Sequence, residues 1–67
     1  IFPVFTVYKN LRDFPGKYVV RLFDGTRPMR LITIRDTLDE ARATIPEGFY
    51  CVQKSPDDDP VIVETWL

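Results

Sequence analysis

The side chains able to do chemistry in this chain are few and stand apart. There is no histidine, the residue most used for acid–base work near neutral pH and the usual partner base of serine and cysteine nucleophiles. The one serine, Ser55, has Lys54 beside it. Serine–lysine pairs serve as catalytic dyads elsewhere, but Lys54-Ser55-Pro56-Asp57 reads as a surface loop. Cys51 falls in an alternating apolar strand, where a thiol acts as a small buried hydrophobe. As the only cysteine it can form no internal disulfide, and without histidine it can build no zinc site.

Asp57-Asp58-Asp59 is the obvious candidate for a cation site. An EF-hand needs carboxylates on alternate residues, a glycine and a distant glutamate, and three adjacent carboxylates point in different directions, so a solvated turn is the better reading. The glycines stand singly at 16, 25 and 48 and form no phosphate-cradling loop. The sequence therefore predicts no catalytic residue, no metal ligand and no cofactor, and the protein is expected not to be an enzyme.

Two binding chemistries remain. Arg12, Lys17, Arg21, Arg27 and Arg30 lie close in sequence to Tyr8, Phe14, Tyr18 and Phe23, and basic residues interleaved with aromatics are what single-strand nucleic-acid surfaces use. Against that reading, the overall balance is acidic and the element order lacks the two helices of an RNA-recognition fold. Nucleic-acid binding through the basic hairpin 17–35 is the alternative; a protein interface is the leading expectation.

That expectation comes from the elements. Residues 18–23 and 29–35 have strand composition, rich in β-branched, aromatic and aliphatic side chains. A turn through Asp24-Gly25-Thr26-Arg27-Pro28 joins them, with Pro28 opening the second strand. If Phe23 faces Met29, Tyr18 pairs with Ile34, Val20 with Ile32 and Leu22 with Arg30. The other face then carries Val19, Arg21 and Phe23 beside Thr33, Leu31 and Met29, so neither face is cleanly polar.

Residues 1–9 form an earlier strand, residues 10–16 a loop closed by Phe14-Pro15-Gly16, and Phe14 is expected to tuck over the core edge. Thr37-Leu38-Asp39-Glu40 matches a capping box, and Leu38, Ala41 and Ile45 share one helical face. Pro46 ends that helix near Thr44. Strands at 49–54 and 61–67 follow, around a proline-bracketed acidic turn, and the chain ends on Trp66-Leu67, which should be tied into the sheet.

The order β-β-β-α-β-β predicts an α+β fold: a single antiparallel, meander-like sheet of about five strands with one short helix packed on one face. One helix cannot cover five strands. The uncovered face, with Val19, Phe23, Leu31 and Trp66 as candidate interface residues, is expected to be an apolar patch that meets a partner.

At 67 residues the chain is one domain, 1–67, and so small a chain buries only about 60% of its extended surface. Small scaffolds recruit disulfides, metals or a second subunit; with the first two closed, a homo-oligomer, most simply a homodimer, is expected. The charge is divided: residues 1–35 hold seven basic side chains against two acidic, +5, and residues 36–67 hold two against eight, −6. Basic strands can pair with acidic ones across the sheet, or the two signs can form a dipolar surface that meets a charged partner or a second copy.

The apolar fraction of 45% is that of a folding chain. No apolar run approaches the roughly 18 residues of a membrane span. With the unpaired thiol, this leads to the expectation of a cytoplasmic protein. The chain opens on Ile1 rather than methionine, so nothing is read from its start. In residues 14–21, 36–42 and 58–67 the sequence resembles short hypothetical proteins of bacterial or phage genomes. The resemblance implies no activity, cofactor or catalytic residue.

Overall fold

The structure, a computed structural model, describes residues 2–52 and 59–67. Strands β1 (Pro3–Leu11), β2 (Phe14–Asp24) and β3 (Arg27–Arg35) are followed by helix α1 (Leu38–Ala43), β4 (Cys51–Val52) and β5 (Ile62–Trp66). All five strands pair antiparallel in one sheet, in the order β3-β2-β1-β5-β4. This is the α+β architecture expected, with one departure from a meander. After β3 the chain passes through α1 to the far edge, and β5 then inserts between β4 and β1.

Both hairpins are tighter than their sequences suggest, and the surplus residues are taken up inside the strands. The expected loop at 10–16 is mostly strand, with only Arg12 and Asp13 turning between Leu11 and Phe14. Its irregularity sits at Asn10, whose φ is 61°. Asparagine tolerates this left-handed conformation, and its side-chain Oδ1 accepts the Gly16 amide at 2.8 Å. In the second hairpin Asp24 pairs with Arg27, leaving Gly25-Thr26 as the whole turn. A positive φ at Gly25 (61°) and none at Thr26 is the type II′ pattern, whose twist suits paired strands.

The register of β2 and β3 shifts between Arg21 and Phe23, where residues 29–31 stand against Leu22 alone. Beyond that point Tyr18 pairs with Arg35, Val19 with Ile34, Val20 with Thr33 and Arg21 with Ile32. The expected partners of Tyr18 and Val20 were Ile34 and Ile32. A slip of one residue turns every side chain to the opposite face. Thr33 therefore joins Val20 on the helix side, and Ile32 and Ile34 join Arg21 and Val19 on the other.

The core lies on the helix side. Phe5, Val7, Val20 and Ala41 are buried, with Tyr18, Leu22, Leu38, Ile45, Phe49, Val63 and Trp66 packed around them. The Phe5 and Phe49 rings meet edge to face at 5.1 Å, an arrangement their quadrupoles favour. Leu38, Ala41 and Ile45 are the helical stripe that the sequence predicts. Six residues are too few for a helix to persist alone in water, so this packing and the caps hold it. Thr37 Oγ1 accepts the Glu40 amide at 3.2 Å, and the same hydroxyl donates to Glu40 Oε1 at 2.9 Å. The box thus closes through the hydroxyl. At the other end the Thr44 hydroxyl donates to the Ala41 carbonyl at 2.7 Å.

Candidate interaction face and cleft

Cross-strand pairing defines the face that the helix leaves open. Val4 pairs with Phe23, Thr6 with Arg21 and with Thr65, and Tyr8 with Val19 and with Ile62; Ile34 and Ile32 continue these rows onto β3, and Val52 onto β4. Ile32 and Ile34 are 44% and 38% exposed, and their neighbour Leu31 is 53% exposed. All three lie on β3, an edge strand with no partner on its outer side in this sheet. Edge strands are commonly blunted by proline, bulges or charge. Here Pro28 and the bulge occupy the first half of β3, and the stretch 32–34 is regular.

The four expected interface residues separate. Phe23 is half-buried on the open face, and Leu31 is exposed in the bulge of β3. Val19 lies on the open face but is only 2% exposed. Trp66 does not contribute to that face: it pairs with Phe5 and Cys51 and packs into the helix-side core. Its pairing with Phe5, whose side chain faces the helix, sets this orientation.

The basic residues also disperse. Arg12 is in the β1–β2 turn and Arg27 beside the opposite turn, where it pairs with Asp24 at 3.4 Å. Lys17 is held by Asp36, and the Lys17 ammonium keeps the Asp36 carboxyl below its usual range. Arg30 is exposed on β3. Arg21 alone stands in the middle of the open face.

Around Arg21 there is a cleft of about 300 Å³, lined by Tyr8, Leu11, Asp13, Phe14, Val19, Arg21 and Ile32. The tip of the β1–β2 hairpin supplies Leu11, Asp13 and Phe14, which explains why Val19 is buried on a face without a helix, and Phe14 folds back beside that buried residue. The Arg21 guanidinium lies 5.9 Å from the Phe23 ring centroid, and its Nε is buried without a hydrogen-bond partner. Leaving such a donor unpaired costs about 1–3 kcal/mol. Burial pushes the Tyr8 phenol above its ordinary range, Arg21 opposes that shift and Asp59 adds to it. Tyr8 is therefore a neutral hydroxyl beside a cation at neutral pH.

No family model, curated protein or solved structure matches this chain. Any reading of its function accordingly stands on the residues themselves.

The remaining polar cluster lies on the helix side and is structural. Glu64, 6% exposed, accepts from Arg42 Nε and Nη2 at 2.8 and 2.9 Å and from Trp66 Nε1 at 2.9 Å. Hydrogen bonds from Arg42, then burial in the opposite sense, then Trp66 set its pKa, and the net effect is downward. Glu64 carried no sequence signal beyond its place two residues before Trp66, a spacing that puts both on one strand face.

Cys51 is exposed rather than buried, but its thiol lies 3.8 Å from Glu64 Oε2. Local desolvation, then the carboxylate, push that thiol above its ordinary range, which disfavours the reactive thiolate. Among the described residues no three His, Cys, Asp or Glu side chains gather as a metal site, and no helix is long and apolar enough to cross a membrane. Of the Asp57–Asp59 run, only Asp59 falls within the described residues; its side chain accepts the Val61 amide at 3.1 Å.

Proposed function

We propose that this chain is a non-enzymatic interaction module that self-associates by pairing β3 with β3 of a second copy. The observation that carries the reading is the exposure of Ile32 and Ile34 on the regular stretch of an edge strand, with Leu31 exposed in the adjoining bulge. Antiparallel pairing centred on Thr33 sets Ile32 of one copy against Ile34 of the other. The two open faces then form one apolar row across a ten-stranded sheet. Cross-strand aliphatic pairs of this kind stabilise by about 0.2–1 kcal/mol each, and the new backbone hydrogen bonds supply the rest of the affinity. A cytoplasmic setting is part of the proposal, supported by the unpaired thiol.

Light scattering on the eluting protein tests it, comparing the wild type with Ile34→Lys. Ile34 is already partly in water, so a lysine there leaves the core intact and places an ammonium in the interface. The expected result is a dimer mass for the wild type and a monomer mass for the variant, with the same circular dichroism. Equal masses would remove β3 from the interface.

A further inference from the structure

The cleft around Arg21 lies on the open face, away from the helix-side core, and shares only Ile32 with the exposed run on β3. We infer that it is a binding site for a small monocarboxylate with a flat apolar body, such as an arylacetate. Three features converge on that chemistry. First, Arg21 is a cation in the centre of the open face whose Nε is buried and unpartnered among the described residues; its guanidinium lies over the Phe23 ring, and it forms no ion pair among the described residues. A planar carboxylate is the anion whose geometry matches a guanidinium edge.

Second, the remaining walls are apolar or aromatic: Val19, Leu11 and Ile32 with the rings of Tyr8 and Phe14. A flat body fits between such walls, and a volume of about 300 Å³ is at the small end of ligand pockets, suited to a single ring with a short arm. The Tyr8 hydroxyl adds a second donor beside Arg21.

Third, the surrounding charge selects against larger anions. Asp13 lines the same cleft and Asp59 acts on Tyr8, while Lys17 and Arg27, the neighbouring cations of the hairpin, are already paired with Asp36 and Asp24. Two carboxylates beside one guanidinium leave the surroundings of the cleft net negative, so only an anion of low charge, held directly on the guanidinium edge, is accommodated. A phosphate chain would bring several charges against both aspartates. This separates a carboxylate from a nucleic-acid backbone on grounds independent of the self-association proposed above.

The test is a titration of the 15N-labelled protein with phenylacetate, followed by amide chemical shifts, against the neutral isostere phenylacetamide. Saturable shifts centred on Tyr8, Phe14, Val19, Arg21 and Ile32 are expected, with the amide at least tenfold weaker because it lacks the charge-assisted pair. Arg21→Gln is expected to lose the same factor, and Arg27→Gln, on the far turn, none. The comparison of the two ligands needs only the wild type and stands even if Arg21→Gln fails to fold. Equal binding of acid and amide, shifts centred elsewhere, or none up to the solubility limit would overturn the assignment. So would a thymidine oligomer that shifts the same amides at lower concentration than phenylacetate does.

Discussion

Arg42 holds Glu64 with two nitrogens, 2.8 and 2.9 Å from its two carboxylate oxygens, and so ties the only helix described to strand β5. Arg42 is close to half exposed and Glu64 is nearly buried. Removing the arginine strands a carboxylate inside the protein, an outcome far costlier than losing a surface pair. Arg42→Ala should destabilise the fold measurably, though by less than the usual cost for a fully buried pair because water reaches the guanidinium. Urea unfolding of the two proteins measures it; a difference indistinguishable from zero would show that the pair contributes only as a surface contact.

The same pair sets a pH dependence. Glu64 titrates lower in the folded than in the unfolded chain, so its contribution is fully present above the unfolded value of about 4.3 and is lost as pH falls through the folded value. Melting temperature should hold from neutral pH down to about pH 5 and then fall. Glu64→Gln should be less stable at neutral pH and show a shallower decline. Parallel profiles for the two proteins would place the acid sensitivity elsewhere.

Cys51 is exposed yet should react slowly. Its thiol sits against the Glu64 carboxylate, and both desolvation and that charge oppose ionisation. Alkylation by iodoacetamide at neutral pH should be slower than in the urea-unfolded chain and faster in Glu64→Gln. A folded-state rate equal to the unfolded one would contradict the contact.

Local backbone chemistry gives two further variants. Thr37→Ala removes the helix cap and should cost about 1 kcal/mol. Gly25→Ala meets no atom within 4 Å but must adopt a φ of +61°, a purely conformational penalty of about 1 kcal/mol. Each should lower the melting temperature by roughly 4–8 °C. An unchanged melting temperature in Gly25→Ala would mean that the turn relaxes to another type.

The capping box and the Leu38, Ala41 and Ile45 stripe were legible because both are local, fixed by spacings of three and four residues. The faces of β3 were not. They depend on where surplus residues are absorbed, and the chain places them in a bulge at residues 29–31 rather than in a longer turn, so Ile32 and Ile34 emerge on the open face.

Strand order was hidden for a related reason: β5 reaches β1 only after the chain has crossed by way of α1, and no local signal marks the insertion. That crossing puts Trp66 in the core, so Trp66→Ala should report on folding rather than on association. The cleft was half visible. Arg21, Tyr8 and Phe14 stood out as basic and aromatic neighbours, but only the bend at Asn10 and Gly16 brings the hairpin tip over Val19.

The central claim, self-association through β3, is tested most directly by sedimentation equilibrium at rising concentration in low and high salt. The contacts that join the two edges are backbone hydrogen bonds and the Ile32–Ile34 pairs, which salt does not screen, and Arg27 of β3 is already paired with Asp24. The account predicts a monomer–dimer equilibrium that persists in high salt. A monomer at every concentration and salt, or a dimer that dissociates as salt rises, would contradict it.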